Sequence, residues 1–260
     1  MLLVIQALLI FASLGQDHRA AAAVKEQIYP LDMALNSVDD QYHGCTREMA
    51  QQVETRYFNR ELNNRRTNFK IAWEEGEKNI KNPENNLTRN HSIAIYMYTG
   101  DKVFRLFNNA TRYSKQNYTA ETYEWYSLHF LLTEAIQILK ATQNACYDTY
   151  RGTNFKYNFL NTTVRFGSFA SSTFVRNKTR FFGNASCFEI KTCHGAEVTN
   201  YSKLSREREV LIPPYEMFKV TAVRNRMDQP DLWCETVYVL NSNGTRSDLN
   251  CALINSVSLS

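Results

Sequence analysis

The periodicity of the sequence changes near Cys146, and this change constrains the fold more than any other feature. Upstream, residues 46–81 are rich in Glu, Gln, Arg, Met and Ala, and residues 92–107 and 125–139 also carry helical patterns. Downstream, short apolar or alternating runs bounded by turn residues are typical of strands. No repeat, low-complexity block or linker separates the halves. We therefore predict an α+β fold, with a helical N-terminal part packed on a mostly antiparallel β C-terminal part.

Caps and breakers predict where the helices begin and end. The first helical stretch ends before Pro83, and the second is interrupted near Gly100. Thr119 is predicted to cap a third helix, with Glu121 in its first turn. The apolar stripe of this third helix is predicted to be buried and consists of Trp125, Leu128, Leu131, Leu132, Ala135, Ile138 and Leu139.

Five strands are predicted in the second half of the chain. They lie at residues 164–169, 188–193, 210–212, 217–223 and 236–240. The strand at 210–212 is a short apolar run that two prolines stop, which is typical of a buried strand.

The N-terminus has the pattern of a secretory signal peptide. Residues 1–14 are apolar and uncharged, and small residues follow at 20–23. We predict a signal peptide at 1–23 and a single domain at 24–260, secreted and extracellular. No later apolar run is long enough to span a membrane, and the last residues lack the hydrophobic tail of a glycolipid-anchor signal.

Glycosylation signals and cysteines agree with a secretory route. The asparagines of Asn-x-Ser/Thr sequons are Asn86, Asn90, Asn109, Asn117, Asn161, Asn177, Asn184, Asn200 and Asn243. The cysteines number six, so three disulfides are expected, and spacing leaves all fifteen pairings open. A metal site is disfavoured, because no two cysteines have C-x-x-C spacing and His194 beside Cys193 has no partner at metal spacing.

The charge pattern gives no sign of a nucleic-acid partner. The net charge is +4, and basic and acidic residues are interspersed along the chain. A nucleic-acid-binding protein needs Lys and Arg clustered on one face.

Three short segments carry the residues suited to chemistry. The first is Tyr150-Arg151-Gly152, and the second runs from Arg165 through Ser171-Ser172-Thr173. The third is Glu207-Arg208-Glu209, followed by Val210-Leu211-Ile212-Pro213-Pro214. Two glutamates at i and i+2 leading into a strand are expected on the same face, where their charges repel unless a cation or a catalytic task keeps them there.

Together the segments resemble the R–S–E signature of the arginine-specific ecto-mono-ADP-ribosyltransferases. Their order and spacing match that family, and so do the flanking 128–133 and 192–196 segments. The resemblance extends from about residue 29 to residue 251. It implies an ADP-ribosyltransferase-like fold and an enzyme that transfers ADP-ribose from NAD to arginine in target proteins, with NAD as co-substrate and no metal.

The resemblance also implies roles for individual residues. Arg151 matches the arginine that holds the NAD phosphates, which suits a planar guanidinium fork. Gly152 would let the backbone approach the nicotinamide amide, and Ser171 would brace the catalytic glutamate and the ribose. Either Phe182 or Phe188 would stack on nicotinamide, although core packing is the simpler interpretation of Phe188.

The two glutamates of the third segment have different implied roles. Glu209 matches the catalytic glutamate, whose anion stabilises the oxocarbenium-like charge on the ribose as the glycosidic bond breaks. Glu207 matches the glutamate associated with arginine acceptors, where it pairs with the incoming guanidinium. Arg208 departs from the family, which often has an acid there, and Arg206 adds further positive charge beside the acceptor site.

The same resemblance implies disulfides and leaves competing functions. The implied pairs are Cys45–Cys251, Cys146–Cys193 and, as the remaining pair, Cys187–Cys234. An NAD glycohydrolase would use the same Arg151, Ser171 and Glu209 with water as acceptor, and Glu207 favours transfer over this alternative. A catalytically silent binding glycoprotein is the third alternative, against which the intact site residues argue.

Overall fold

Helices come first along the chain and strands follow, so the fold is α+β as predicted. The structure is a computed structural model that describes residues 28–257, and the predicted signal peptide, residues 1–23, lies outside them. Within the described part of the chain, no helix combines the length and the apolar character needed to cross a membrane.

The helices lie mainly between residues 46 and 143. They are α1 (Thr46–Gln52), α2 (Phe58–Leu62), α3 (Phe69–Asn79), α4 (Arg89–Thr99), α5 (Phe104–Tyr113), α6 (Lys115–Thr119), α7 (Tyr126–Gln143) and α8 (Ala252–Val257). A single π-helical turn, Val53–Tyr57, joins α1 to α2. The interruption predicted near Gly100 separates α4 from α5, and the apolar stripe predicted for the third helix is buried in α7, with Ile138 partly buried at its edge.

Two predicted helix features are wrong. The stretch 46–81 is not continuous, because residues 63–68 separate α2 from α3. Thr119 is the last residue of α6 and does not cap α7, which begins later in the chain. The Glu61 carboxylate of α2 instead accepts the backbone N–H of Ser127, at 3.3 and 3.1 Å to its two oxygens. A side chain distant in sequence thus satisfies a free N–H group in the first turn of α7.

The strands form one large sheet and a small separate pair. They are β1 (Ile28–Leu31), β2 (Tyr147–Thr153), β3 (Lys156–Phe159), β4 (Thr163–Val164), β5 (Ala170–Thr173), β6 (Ser186–Thr192), β7 (Ala196–Glu197), β8 (Glu209–Ile212), β9 (Glu216–Asn225) and β10 (Thr236–Thr245). The large sheet has the order β4-β9-β10-β6-β2-β5-β8-β7, and β1 pairs in parallel with β3. In the large sheet β10 pairs in parallel with β6, and the other neighbours are antiparallel. The prediction of a mostly antiparallel sheet is therefore confirmed.

One predicted strand is wrong and four are confirmed. The segment 164–169 contributes only its first residue to β4, because Gly167 has a φ of +66° and turns the chain. Residues 166–169 therefore lead into β5 without pairing in the sheet. The other four predicted strands correspond to β6, β8, β9 and β10.

Strand β8 is buried on both faces of the sheet. Leu211 packs in the cluster shared with the helices, together with Phe169 and Val198. The adjacent Ile212 packs in a second cluster that includes Phe188 on the other face. Because side chains alternate along a strand, the first residue of β8 lies on the same face as Leu211, toward the helices.

A buried arginine fixes the segment that precedes β5. Arg165 is 0% exposed, and its Nη1 lies 2.7 Å from an Asp39 carboxylate oxygen. The same guanidinium donates to the carbonyl oxygens of Met33, Ala34 and Arg246, at 2.8, 3.2 and 2.7 Å. The buried charge of Arg165 is tolerated because each nitrogen of its guanidinium group donates to an acceptor.

Three disulfides connect distant parts of the chain. They are Cys45–Cys251, Cys146–Cys193 and Cys187–Cys234, as the family resemblance implies. The first joins the start of α1 to the residue before α8. The second joins the residue before β2 to the residue after β6, and the third lies within the β region. The disulfides therefore hold the ends of the fold and the edge of β2 that leads to Arg151.

Replacement of Arg165 by Met tests the buried ion pair. Arg165→Met keeps the aliphatic stem but removes the cation that pairs with the buried Asp39 carboxylate and one donor to each of three carbonyl groups, so we expect the free energy of unfolding to fall by about 3–5 kcal/mol. Denaturant unfolding with the disulfides intact measures this, and the exposed Arg65→Met is the matched control, expected within about 0.5 kcal/mol of the parent. A loss below about 1 kcal/mol for Arg165→Met would contradict the role assigned to the pair.

Candidate active site

A cavity of about 620 Å³ opens between strands β2, β5 and β8 and the helical region. These strands are neighbours in the sheet, so the three segments selected from the sequence meet there. Strands β2 and β5 pair at one position only, Tyr150 with Thr173, and the cavity lies where they separate. The residues selected from the sequence that line it are Arg151, Gly152, Ser171, Phe182, Glu207 and Glu209.

Arg151 presents its guanidinium to the cavity from β2. The side chain is half-buried, and its Nη1 donates a hydrogen bond of 2.6 Å to the backbone oxygen of Ser171 in β5. Within the described residues no carboxylate lies at ion-pairing distance from this guanidinium. One edge of the fork is therefore fixed on the protein, and the positive charge remains available to an anionic ligand.

Glu209 is the most deeply buried acid of the cavity. It is 3% exposed, and its Oε2 accepts a hydrogen bond of 3.1 Å from the Ser202 hydroxyl. The pKa of Glu209 is raised to about 7, mainly by burial and to a smaller extent by the negative charge of Glu207. Hydrogen bonds from Ser171 and Ser202 and the charge of Arg151 act in the opposite direction. The site therefore contains an acid that is partly protonated near neutral pH.

Glu207 reaches the cavity by a route that differs from the prediction. It ends a single 3₁₀ turn, Ser205–Glu207, and Arg208 then adopts a left-handed conformation with a φ of +50°. The expectation that Glu207 and Glu209 share the face of a strand is therefore wrong, because only Glu209 belongs to β8. The Thr173 hydroxyl donates to the Glu207 backbone oxygen at 2.6 Å. Burial raises the pKa of the half-buried Glu207 carboxyl, and the charge of Lys178 lowers it.

Gly152 and Phe182 line the cavity next to Arg151. A Cβ atom on Gly152 would lie 2.5 Å from the backbone oxygen of Gly183 and 2.8 Å from that of Thr179. Any side chain at 152 would thus push away the segment that carries Phe182, whose ring is 49% exposed. Phe188, the alternative stacking residue, is 1% exposed in the second core cluster, as the simpler interpretation of it requires.

The structure adds residues that sequence reasoning missed. Tyr98, from the last turn of α4, lines the cavity and donates to the Phe169 backbone oxygen at 2.8 Å. Asn108 of α5 donates to the Tyr98 hydroxyl at 3.1 Å. Burial raises the pKa of Tyr98 to about 12. The helix break at Gly100 was the only sequence signal for the side of the cavity that Tyr98 and Asn108 form. Ser202 appeared in the sequence only as part of a glycosylation sequon.

The cavity chemistry contains no recognisable metal site. In residues 28–257, no group of three or more His, Cys, Asp or Glu side chains is arranged to hold a metal ion. The charged groups that line the cavity are the guanidinium groups of Arg105 and Arg151 and the carboxylates of Asp101, Glu207 and Glu209, and amide and hydroxyl groups accompany them. They suit a ligand that carries both negative charge and hydroxyl groups.

Comparison with known proteins decides which family has this combination of fold and cavity. A family model described as NAD:arginine ADP-ribosyltransferase matches residues 31–237. The chain belongs to this family. The family predicted from the R–S–E signature is thereby confirmed.

Relatives of known name and known structure agree with this membership of the ADP-ribosyltransferase family. The chain is 32% identical to the erythroblast NAD(P)(+)--arginine ADP-ribosyltransferase of Gallus gallus, over 95% of the chain and 84% of that protein. It is 36% identical to the T-cell ecto-ADP-ribosyltransferase 1 of Mus musculus, over 73% and 68% respectively. A crystal structure of the eukaryotic mono-ADP-ribosyltransferase ART2.2, a mutant in complex with NADH, matches with a TM-score of 0.73 and 30% identity, covering 86% of this chain and 98% of that chain.

Because Glu209 is buried, we predict that the stability difference between the parent protein and a Glu209→Gln variant depends on pH. The pKa of Glu209 is raised from 4.5 to about 7, so the fold favours its neutral form. The resulting destabilisation is absent below the unfolded pKa and complete above about pH 7. We therefore expect Glu209→Gln to raise the free energy of unfolding by up to about 3 kcal/mol at pH 8, with little change at pH 4.5. Thermal unfolding at both pH values measures the difference, and a Glu209→Gln protein less stable than the parent at pH 8 would contradict it.

Proposed function

We propose that this protein is secreted and transfers ADP-ribose from NAD to the guanidinium group of arginine in target proteins, releasing nicotinamide. The observation that carries the proposal is one cavity containing Arg151 and the buried Glu209, on a chain of the NAD:arginine ADP-ribosyltransferase family. Glu207, at the same cavity, supplies a second carboxylate that a cationic acceptor needs. The Gallus gallus relative named above is an arginine ADP-ribosyltransferase by name, which supports the same reaction class.

In this proposal Arg151 binds the diphosphate of NAD. Its Nη1 is held on the Ser171 backbone oxygen, so the remaining N–H groups meet phosphate oxygens without losing side-chain freedom on binding. Phe182 stacks on the nicotinamide ring, which its exposed position at the cavity allows. Gly152 brings the backbone close to the nicotinamide amide. The 179–183 segment occupies the space that a side chain at this position would need.

Glu209 stabilises the transition state in which the bond between nicotinamide and C1′ of the ribose breaks. The electron pair of that bond leaves with nicotinamide, which departs as a neutral molecule, and positive charge develops on the ribose. A fixed carboxylate in a buried site stabilises this charge more than it stabilises bound NAD. The hydroxyls of Ser171 and Ser202 hold the carboxylate and favour its ionised form against the effect of burial.

Glu207 then receives the acceptor. Its carboxylate pairs with the incoming guanidinium and orients one nitrogen toward C1′, where the new nitrogen–carbon bond forms. The proton released from that nitrogen passes to the Glu207 carboxylate. Among the described residues no Lys or Arg lies at ion-pairing distance from Glu207, so an acceptor guanidinium has no ion pair to displace.

Three observations support the proposed extracellular location: two features of the described chain and the names of relatives. The three disulfides are stable in an oxidising compartment. The asparagines of all nine sequons are exposed, so each is accessible as a glycosylation site. Several relatives carry the name ecto-ADP-ribosyltransferase. Together with the signal-peptide pattern at 1–23, these features support secretion.

Substitutions of the two glutamates separate bond cleavage from transfer. Glu209→Gln removes the anion that faces the ribose, so both nicotinamide release and transfer to agmatine, a small guanidine, should fall by roughly a hundredfold or more. Glu207→Gln removes only the acceptor carboxylate, so transfer should be lost while NAD hydrolysis remains within a few-fold of the parent. Nicotinamide and ADP-ribosylated agmatine are measured separately, with the exposed Glu77→Gln as control. Full transfer by Glu207→Gln would refute its role.

Thr173 provides a second test, because it acts on Glu207 only through the backbone. Thr173→Val keeps the shape of the side chain and removes the hydroxyl that holds the Glu207 carbonyl. We expect the kcat/KM for agmatine to fall roughly tenfold, while NAD hydrolysis changes less than about threefold. Thr173→Ser should restore transfer. Equal losses in both activities, or no rescue by serine, would show that the hydroxyl has a general structural role instead.

A further inference from the structure

Five basic residues belong to two segments that border the cavity, and we call them the basic collar. Three of them, Arg176, Lys178 and Arg180, belong to the 3₁₀ turn Arg176–Phe181. The other two, Arg206 and Arg208, flank Glu207. All are exposed except the half-buried Lys178. Both segments contribute lining residues to the cavity, so the collar charges lie next to its wall.

The charge of the basic collar is not neutralised by the protein. Within the described residues, no Asp or Glu lies at ion-pairing distance from any collar residue. The Arg176 and Arg208 guanidinium groups lie over the rings of Trp233 and Phe174, at 5.9 and 5.4 Å from the ring centroids. Aromatic stacking orders these two groups and leaves their N–H donors free for a ligand.

Lys203, close to the collar, is ion-paired, whereas the cavity-lining Arg105 lies over the Phe104 ring and has no ion pair among the described residues. Lys203 lies 2.6 Å from a Glu75 carboxylate oxygen and 3.7 Å from the exposed Asp101. Asp101 also lines the cavity and pairs with Lys203, but it forms no ion pair with a collar residue. The collar is therefore a local excess of positive charge on the acceptor side of the opening.

Apolar side chains lie between the collar charges. Phe181 is 88% exposed and Leu204 is 46% exposed, and each is adjacent in sequence to a collar segment or part of it. Exposed aromatic and aliphatic groups bordered by Arg are the composition of a protein-binding surface. A small guanidine that enters the cavity does not cover these groups, whereas a polypeptide acceptor does.

We propose that the basic collar is a docking surface for acidic polypeptide segments, and that the protein selects acceptor arginines with Asp or Glu as sequence neighbours. This inference rests on the proposed function and specifies its substrate class. The acceptor guanidinium enters the cavity to meet Glu207, and its acidic neighbours remain outside, where they meet the collar. An arginine flanked by Lys or Arg meets the same collar as a repulsion, which gives the site selectivity against basic segments.

The test compares peptides that contain a single arginine flanked by Asp and Glu, by Ser and Gln, or by Lys. Transfer is measured at saturating NAD, in low and in moderate salt. We expect the kcat/KM for the acidic peptide to exceed that for the neutral peptide roughly tenfold at low salt, and the ratio to shrink as salt screens the collar. Arg180→Glu combined with Arg206→Glu should reduce this ratio to about one or reverse it.

The controls keep this inference distinct from the proposed function. Arg47→Glu combined with Arg65→Glu makes the same change in net charge at exposed residues that do not line the cavity and should keep the parent ratio. An Asn177→Gln background removes the sequon inside the collar, so no glycan there masks the comparison.

Three outcomes would overturn either the docking proposal or the proposed function. Equal rates for all peptides, with normal transfer to agmatine, would overturn the collar and leave the proposed function intact. No transfer to agmatine or to any peptide would contradict the proposed function itself. Collar-dependent binding to phosphatidylserine vesicles together with equal peptide rates would assign the collar to a membrane surface and overturn this inference.

Discussion

The pairing of β5 with β8 is the constraint on which the rest of the site depends. This antiparallel ladder places Thr173 opposite Glu209 and Ser171 opposite Leu211, so the serine segment and the buried glutamate have a fixed register. A shift of one residue would turn Glu209 away from the helices and into the second apolar cluster. Because β8 is packed on both faces, that shift would also bury a charge among aromatic rings, and the register is strongly specified.

The two glutamates differ in how the fold holds them, and this difference separates two chemical steps. Glu209 is held by the ladder, by burial and by the hydroxyls of two serines. Glu207 lies before the strand and is followed by Arg208 in a left-handed conformation. The Thr173 hydroxyl anchors the backbone of Glu207. In the proposed mechanism, bond cleavage therefore depends on the rigid sheet, whereas acceptor orientation depends on a short turn that can vary without changing the sheet.

The sequence predicted those parts of the fold that local pattern determines. The stripe of α7 and four of the five strands follow from apolar periodicity, and the helix break at Gly100 from a single breaker. The cap of α7 was missed because it comes from a distant side chain, that of Glu61. The strand predicted at 164–169 ends early because Gly167 turns the chain. The set of cavity residues proposed from the sequence came from the R–S–E resemblance. Tyr98 and Ser202 lack a sequence signature, because only the fold brings Tyr98 to the cavity and Ser202 to the Glu209 carboxylate.

A basic collar can stand beside a site for a cationic acceptor because the repulsion by the collar and the attraction by Glu207 act over different distances. The collar charges are mostly exposed, so solvent and salt weaken their repulsion of a guanidinium beyond about 8 Å. The Glu207 carboxylate is half-buried, and its attraction for a guanidinium at contact acts through a medium of lower dielectric constant. Lys178 lowers the pKa of Glu207 against the effect of burial, so part of the collar favours the ionised form that the acceptor requires. Under the proposed docking, Arg208 thus adds selectivity for the surroundings of the acceptor arginine without removing the Glu207 charge proposed to bind it.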